Sequence, residues 1–326
     1  MTRIQFAAGI LAMLLGAGGA MAQQPADGFP NKPVTLVIPN QGGTTMDIEI
    51  RIFTQSILEA TRIPMIVEAK SGAATTIASA YVAKAKPDGY TILGTNASFT
   101  IVPSVYPDLP FDNIKSFSPI TLLDKHPYVA LVNPSSPYKT IAEYLAYVRA
   151  HPDEINYSTS GAGGVTHIAG VLMHYLSGTR VTYVHYKSST ERLNDVIAGR
   201  VQISMTAPTA AVPLINAGKL RAIGVTTDRR VSPLPNVPTI EEQGVPGYEF
   251  TSWIGVLAPA NVPAPIVNKL NQIWVATIKD PKVVKRLESD GTIMVGNTPA
   301  QFQQEIVKDT ERWRKVIKDT GVQISD

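Results

Sequence analysis

The stretch Val34-Thr35-Leu36-Val37-Ile38-Pro39-Asn40-Gln41-Gly42-Gly43-Thr44-Thr45-Met46-Asp47 decides the fold. Five apolar or β-branched residues stop at a proline, turn over two glycines, and lead to a threonine three residues before an acid. A short apolar run bounded by turn residues reads as a buried strand, and Thr44-x-x-Asp47 has capping-box spacing for a helix start. Ile48, Phe53, Ile57 and Leu58 then recur at helical spacing over residues 47–60. Strand, glycine loop and helix in that order form the unit of an α/β protein with largely parallel sheets.

Working outward, the unit repeats. Residues 65–68 read as a strand, 75–85 as a helix closed by Pro87-Asp88-Gly89, and 91–94, 120–123 and 128–132 as further strands. After Asn133-Pro134-Ser135-Ser136-Pro137 the same grammar restarts, with Thr140 and Glu143 opening a helix to about residue 150. Strands follow at 155–158, 181–185, 201–205 and 222–225, with helices at 167–176, 191–198 and 210–217. Beyond a proline-rich stretch, 250–257 reads as a strand, and helices at 265–277, 281–289 and 299–318 close the chain. The last opens with Thr298, Pro299 and Gln301, a capping box with proline at the first helical position. This order fits two α/β lobes joined near residues 125–128 and 248–250. Residues 23–127 and 250–326, with the C-terminal helices, make one lobe, and residues 128–249 the other. A cleft between lobes is the expected ligand site.

Composition agrees and excludes. At about 150 residues per domain, 326 residues suggest two domains. Apolar residues make up 44% of the chain, enough to bury cores and too many for disorder. Lys+Arg 29 against Asp+Glu 26, with no long run of either sign, argues against a nucleic-acid partner. With no cysteine, disulfides, thiolate catalysis, Cys-ligated zinc, iron–sulfur clusters and a lipidated N-terminal Cys are excluded. Residues 1–22 place Arg3 before an apolar stretch from Phe6 to Leu15 and end in Ala20-Met21-Ala22. The stretch is shorter than the roughly 20 residues of a membrane span, so it reads as a signal peptide cleaved after Ala22. The expected compartment is the periplasm.

Three loops between a strand and a helix could receive an anion. The first is 39–47; the second runs Ser158-Thr159-Ser160-Gly161-Ala162-Gly163-Gly164-Val165-Thr166-His167; the third is Tyr186-Lys187-Ser188-Ser189-Thr190-Glu191. Their backbone N–H groups and the positive end of the following helix suit negative charge. The second loop lacks the third glycine of a dinucleotide fingerprint, and no Gly-Lys-Ser/Thr phosphate loop or Gly-x-Ser-x-Gly elbow occurs. Among His126, His151, His167, His174 and His185, no pair has metal-ligand spacing with nearby carboxylates. No cofactor, no metal and no catalytic residue is therefore expected.

The chain resembles the Bug/TctC family, the extracytoplasmic solute receptors of tripartite tricarboxylate transporters. The resemblance spans almost all of the chain after residue 22. It is carried by Lys32-Pro33-Val34, Pro39 through Gly42-Gly43 to Asp47, Pro87-Asp88-Gly89-Tyr90-Thr91, Asn156-Tyr157-Ser158 and Gly161 to Gly170. Ala217-Gly218-Lys219-Leu220-Arg221-Ala222, Leu234-Pro235-Asn236-Val237-Pro238-Thr239 and Thr251-Ser252-Trp253 complete it. The family's usual first loop has prolines where this chain has Asn40-Gln41. The resemblance implies a two-lobed, type II periplasmic-binding-protein-like fold that closes on a small carboxylate without an arginine clamp. It further implies a monomer that hands an organic acid to large and small membrane transporter subunits. The alternative is a sensor that presents its closed form to a signalling protein; an exported enzyme is the reading from another class. Expected ligand contacts are Asn40, Gln41, Gly42, Gly43 and Thr44 from the first loop. Ser160, Gly161, Thr166 and His167 come from the second, Tyr186 from the third, and Thr95, Ser98 and Thr206 from neighbouring strand ends.

Overall fold

Val34–Ile38 forms strand β1 because only Thr35 among its five side chains keeps partial exposure. Such a strand needs cover on both faces, which a parallel sheet flanked by helices supplies. The structure, a computed structural model, describes residues 28–39, 44–106, 108–152, 154–161, 164–186, 188–288 and 291–321. Residues 1–22, read as a signal peptide, lie outside the described residues. So do the expected contacts Asn40, Gln41, Gly42 and Gly43.

From β1 the chain runs through α1 (Thr45–Thr61), β2 (Met65–Ala69), α2 (Thr76–Ala83), β3 (Thr91–Asn96), the short α3 (Ser98–Ile101) and β4 (Phe117–His126). It crosses to β5 (Val129–Val132), α4 (Ile141–Ala150), β6 (Asn156–Thr159), α5 (Val165–Ser177), β7 (Thr182–His185) and α6 (Ser189–Ile197). Next come β8 (Ile203–Thr206), α7 (Pro208–Asn216) and β9 (Arg221–Val225). It returns with β10 (Ser252–Pro259), α8 (Ala264–Ile278), α9 (Pro281–Glu288), β11 (Ile293–Met294) and α10 (Pro299–Thr320). The first sheet has strand order β11-β4-β10-β3-β1-β2 and the second β7-β6-β8-β5-β9.

Each sheet is covered on both faces. In β1, Val34, Leu36 and Ile38 join Phe53 of α1 and Trp274 of α8, while Val37 joins Ala78 of α2 and Phe302 of α10. In the second sheet, Ala130 and Val132 pack with α4 and α5, and Val129 and Leu131 with α6 and α7. Alternate side chains feeding opposite faces is the period-2 rule at work.

Two expectations are corrected. The buried stripe of α1 is Met46, Ile50, Phe53 and Ile57, whereas Ile48 and Leu58 are exposed. Phe53 and Ile57 lie in it as expected, but it runs back through Ile50 to Met46 rather than through Ile48. The sequence reading also kept all C-terminal helices with the first lobe, but α10 serves both sheets. Phe302 and Ile306 sit in the first sheet's core, and Trp313, Val316 and Ile317 in the second's. A 22-residue helix, at about 1.5 Å per residue, is long enough to reach both.

The crossovers are laced together. Pro127 and Tyr128 join β4 to β5. Thr226, at the start of the return crossover, accepts from Tyr128 N through Oγ1 at 2.9 Å and donates its N–H to Tyr128 O at 3.0 Å. Phe250 N donates to Thr226 O at 2.8 Å. Among the described residues, no helix is long and apolar enough to cross a membrane.

Candidate functional site: the loop edges at the crossover

Strand directions place the candidate loops. β1 is parallel to β2 and β3, and β10 runs antiparallel to both β3 and β4. The carboxyl ends of β1, β3 and β4 therefore share one edge, where Ser252 pairs with His126 and Ile254 with Asn96. In the second sheet β6, β7 and β8 are parallel, and β5 begins opposite Thr206. Only Pro127 and Tyr128 separate His126, at the end of β4, from Val129, which pairs with Thr206 at the end of β8. Open α/β sheets bind ligands at such carboxyl ends. A cavity of about 220 Å³ opens there, lined by Glu49, His126 and Pro127 on one side and Ala207, Pro208 and Thr209 on the other.

The first loop ends as expected. Thr44 caps α1, its Oγ1 accepting from Asp47 N at 3.3 Å. Asp47 is buried, and its Oδ1 accepts from Arg51 Nε at 2.9 Å. After β3, the side-chain oxygen of Asn96 accepts from Ser98 N at 3.0 Å and fixes the start of α3, leaving Ser98 half-buried. Thr95 has no exposed surface, and its hydroxyl finds no hydrogen-bond partner among the described residues.

The second loop is held by its own side chains. Thr166 Oγ1 accepts from Ser160 N at 2.8 Å and lies 3.0 Å from Ser160 Oγ, which folds the loop back onto the first turn of α5. Tyr157 donates its hydroxyl to Thr166 O at 3.0 Å. Thr166 is thus buried while Ser160 is exposed, and Gly161, at φ +108°, makes the turn. His167 is buried edge-on to Tyr183 and His185 at 4.8 and 5.0 Å. Burial, and then the neighbouring His185, lower its pKa to about 4, so it stands as a neutral ring. Tyr186 gives its hydroxyl to Asp195 at 2.6 Å, and Thr206 is buried at the end of β8.

The structure also assembles a group that sequence reading missed. His126 Nε2 lies 3.0 Å from Asp124 Oδ1 and 3.1 Å from Glu49 Oε2. Burial pushes the imidazole pKa down, but Asp124 and Glu49 together outweigh it and raise it to about 10. The expectation of no clustered histidine and carboxylates fails in space, because β4 and α1 bring together residues far apart in sequence. Their three ligand atoms lie within 4.8 Å of one another, close enough for a metal ion. A protonated His126 between two carboxylates already fills that role, and an ion would have to displace its proton. The signal was an acid on the buried stripe of α1, three residues after Met46, and another directly after the apolar pair Leu122-Leu123 of a buried strand.

Two α/β sheets, covered by helices on both faces and joined by crossovers, define a two-lobed solute-binding receptor. The chain belongs to the tripartite tricarboxylate transporter receptor family, whose profile matches residues 50–322. A protein of Agrobacterium vitis, the UPF0065 protein in the TAR-I ttuE-ttuC' intergenic region, is 33% identical over 301 residues, 91% of this chain and 87% of that protein. Among solved structures, Rpa4515 of R. palustris with adipate is 33% identical with a TM-score of 0.74, covering 90% of this chain and 99% of that one. MatC of Rhodopseudomonas palustris with bound malate is 29% identical with a TM-score of 0.71, covering 89% and 100%. Family members are periplasmic binding proteins.

Proposed function

We propose that this chain is a periplasmic receptor that captures a small organic acid between two lobes and delivers it to membrane subunits of a tripartite transporter. The observation that carries the reading is the cavity at the Pro127–Tyr128 crossover, lined by Glu49 and His126 from one side and Ala207 to Thr209 from the other. The relatives bound to adipate and to malate agree with it. Residues 23–127 with 250–326 act as one lobe and 128–249 as the other, with α10 spanning both. The lobes close about Tyr128, Thr226 and Phe250, whose backbone bonds keep the two crossovers in step. A ligand that prefers the closed form shifts the open–closed equilibrium by its differential affinity.

In this reading the first loop, Ser98, Ser160, Gly161 and Tyr186 offer neutral donors to the acid. Thr166, Thr95 and Thr206 shape the loops beneath. Calorimetric titration of signal-free protein with adipate, malate and aromatic carboxylates tests the proposal. Saturable binding of at least one acid, with no chemical change to it, is expected. Failure of every acid to bind would overturn it.

A further inference from the structure

Arg192 on α6 has 2% of its surface exposed and no carboxylate partner among the described residues. Its Nη1 donates to Ser204 Oγ at 2.7 Å and to Met205 O, and its Nη2 to Ser189 Oγ at 3.4 Å. Its Nε is buried with no hydrogen-bond partner among the described residues. Of the acids on its own helix, Asp195 is held by Arg200 and Tyr186, and Glu191 is exposed. Tyr128 and Tyr157, the titratable groups within its electrostatic reach, stay neutral because burial raises their pKa values. A guanidinium keeps its charge in a protein. Buried charges are normally paired, and an unpaired one is costly to keep.

The place of this charge gives it a use. Ser189 opens α6, whose N-terminus follows the third loop, and Met205 precedes Thr206 at the carboxyl end of β8. The guanidinium therefore lies between the N-terminus of α6 and the carboxyl end of β8, where the helix dipole adds to its field.

We propose that Arg192 makes the cleft select anions, supplying a buried positive charge from between the start of α6 and the end of β8. This rests on the organic-acid reading above and adds its charge preference. The ligand's carboxylate completes the missing ion pair through space, without touching the guanidinium. A field of this kind depends on charge rather than on the fork shape of arginine, which separates it from a structural role.

The test uses Arg192→Met and Arg192→Lys with acetate, adipate, malate, sulfate and adipamide, the neutral diamide of adipate, at constant ionic strength. Binding is read by calorimetry and melting temperature. Arg192→Met should bind the anions at least tenfold more weakly yet melt no lower than wild type without ligand, because an uncompensated charge has gone. Arg192→Lys should keep most of the preference for adipate over adipamide. Anion affinity within about twofold of wild type in Arg192→Met overturns the proposal, and so does a loss of melting temperature alone. If Met does not fold, Arg192→Gln serves as the neutral variant. If the acids bind wild type and the neutral variant alike, the receptor reading stands and the Arg192 assignment falls. If only sulfate binds, and only with Arg192 present, the assignment stands and the organic-acid reading falls. If no anion binds wild type, both fall.

Discussion

Nε2 of His126 stands 3.0 Å from Oδ1 of Asp124, a carboxylate with no exposed surface. The same oxygen accepts from Ile254 N at 3.2 Å, so the charge sits where β4 meets β10. His126→Gln leaves two buried carboxylates without their cation, and such a loss costs about 3–5 kcal/mol. Urea unfolding should show this, with Glu49→Gln in the same chain restoring part of it.

The imidazolium also makes stability depend on alkaline pH. Its folded pKa of about 10 lies above the ordinary histidine value of 6.5. Its stabilisation is complete below about pH 6.5 and is lost as pH rises through about 10. The wild-type urea midpoint should fall over that window more steeply than that of His126→Gln. Parallel curves would show that the triad does not carry this charge.

Acid acts through other histidines. His174 is buried, with Nε2 3.1 Å from Tyr144 Oη and Nδ1 2.8 Å from Gly170 O. Burial lowers its pKa, and that of His167, to about 4. Both rings are neutral in the fold and protonate more readily once unfolded. Stability is therefore full above about pH 6.5 and is lost as pH falls through about 4. His174→Gln should flatten the decline between pH 6.5 and 4, as followed by unfolding at fixed urea.

The parts of the fold that were legible are those in which one strand or helix carries its own signal. Val34–Ile38 announced a buried parallel strand because almost every side chain in it is apolar, and Thr298-Pro299-Ala300-Gln301 announced a helix start that the structure completes as a full capping box. β11 is only two residues and α3 four, too short for any period to register. The same limit applied to the site. Thr44 as a cap could be read locally, but the partners of His126 lie on another helix and further back along its own strand, and spacing alone cannot join them. Arg192 was hidden differently: it precedes Leu193 and lies four residues before Val196, so it falls on the buried face of α6, where a charge is the anomaly to look for.

Gly255 in β10 faces Phe302 of α10 so closely that an added Cβ would lie 2.3 Å from its ring. Gly255→Ala must move that ring and disturb its edge-on contact with Trp253 at 5.6 Å. Overpacking of this kind costs about 1–3 kcal/mol. Thermal melting should fall accordingly, and Phe302→Leu alongside it should recover part of the loss.

Thr166 is the sharpest probe of how the second loop is built. Its hydroxyl accepts from Ser160 N and touches Ser160 Oγ, and it is buried. Thr166→Val keeps the shape but leaves that backbone N–H without its acceptor, a loss of about 1–3 kcal/mol where the group cannot reach water. Ser160 is exposed, so part of the loss is recovered by solvent, and the lower end of that range is expected. Thr166→Ser retains the acceptor and should restore both melting temperature and affinity for any acid that wild type binds. Ser160→Ala removes the exposed hydroxyl and leaves the backbone bond intact, so it should weaken binding with little change in melting. If Thr166→Val weakened binding strongly at unchanged melting temperature, its hydroxyl would have to turn from Ser160 to the ligand.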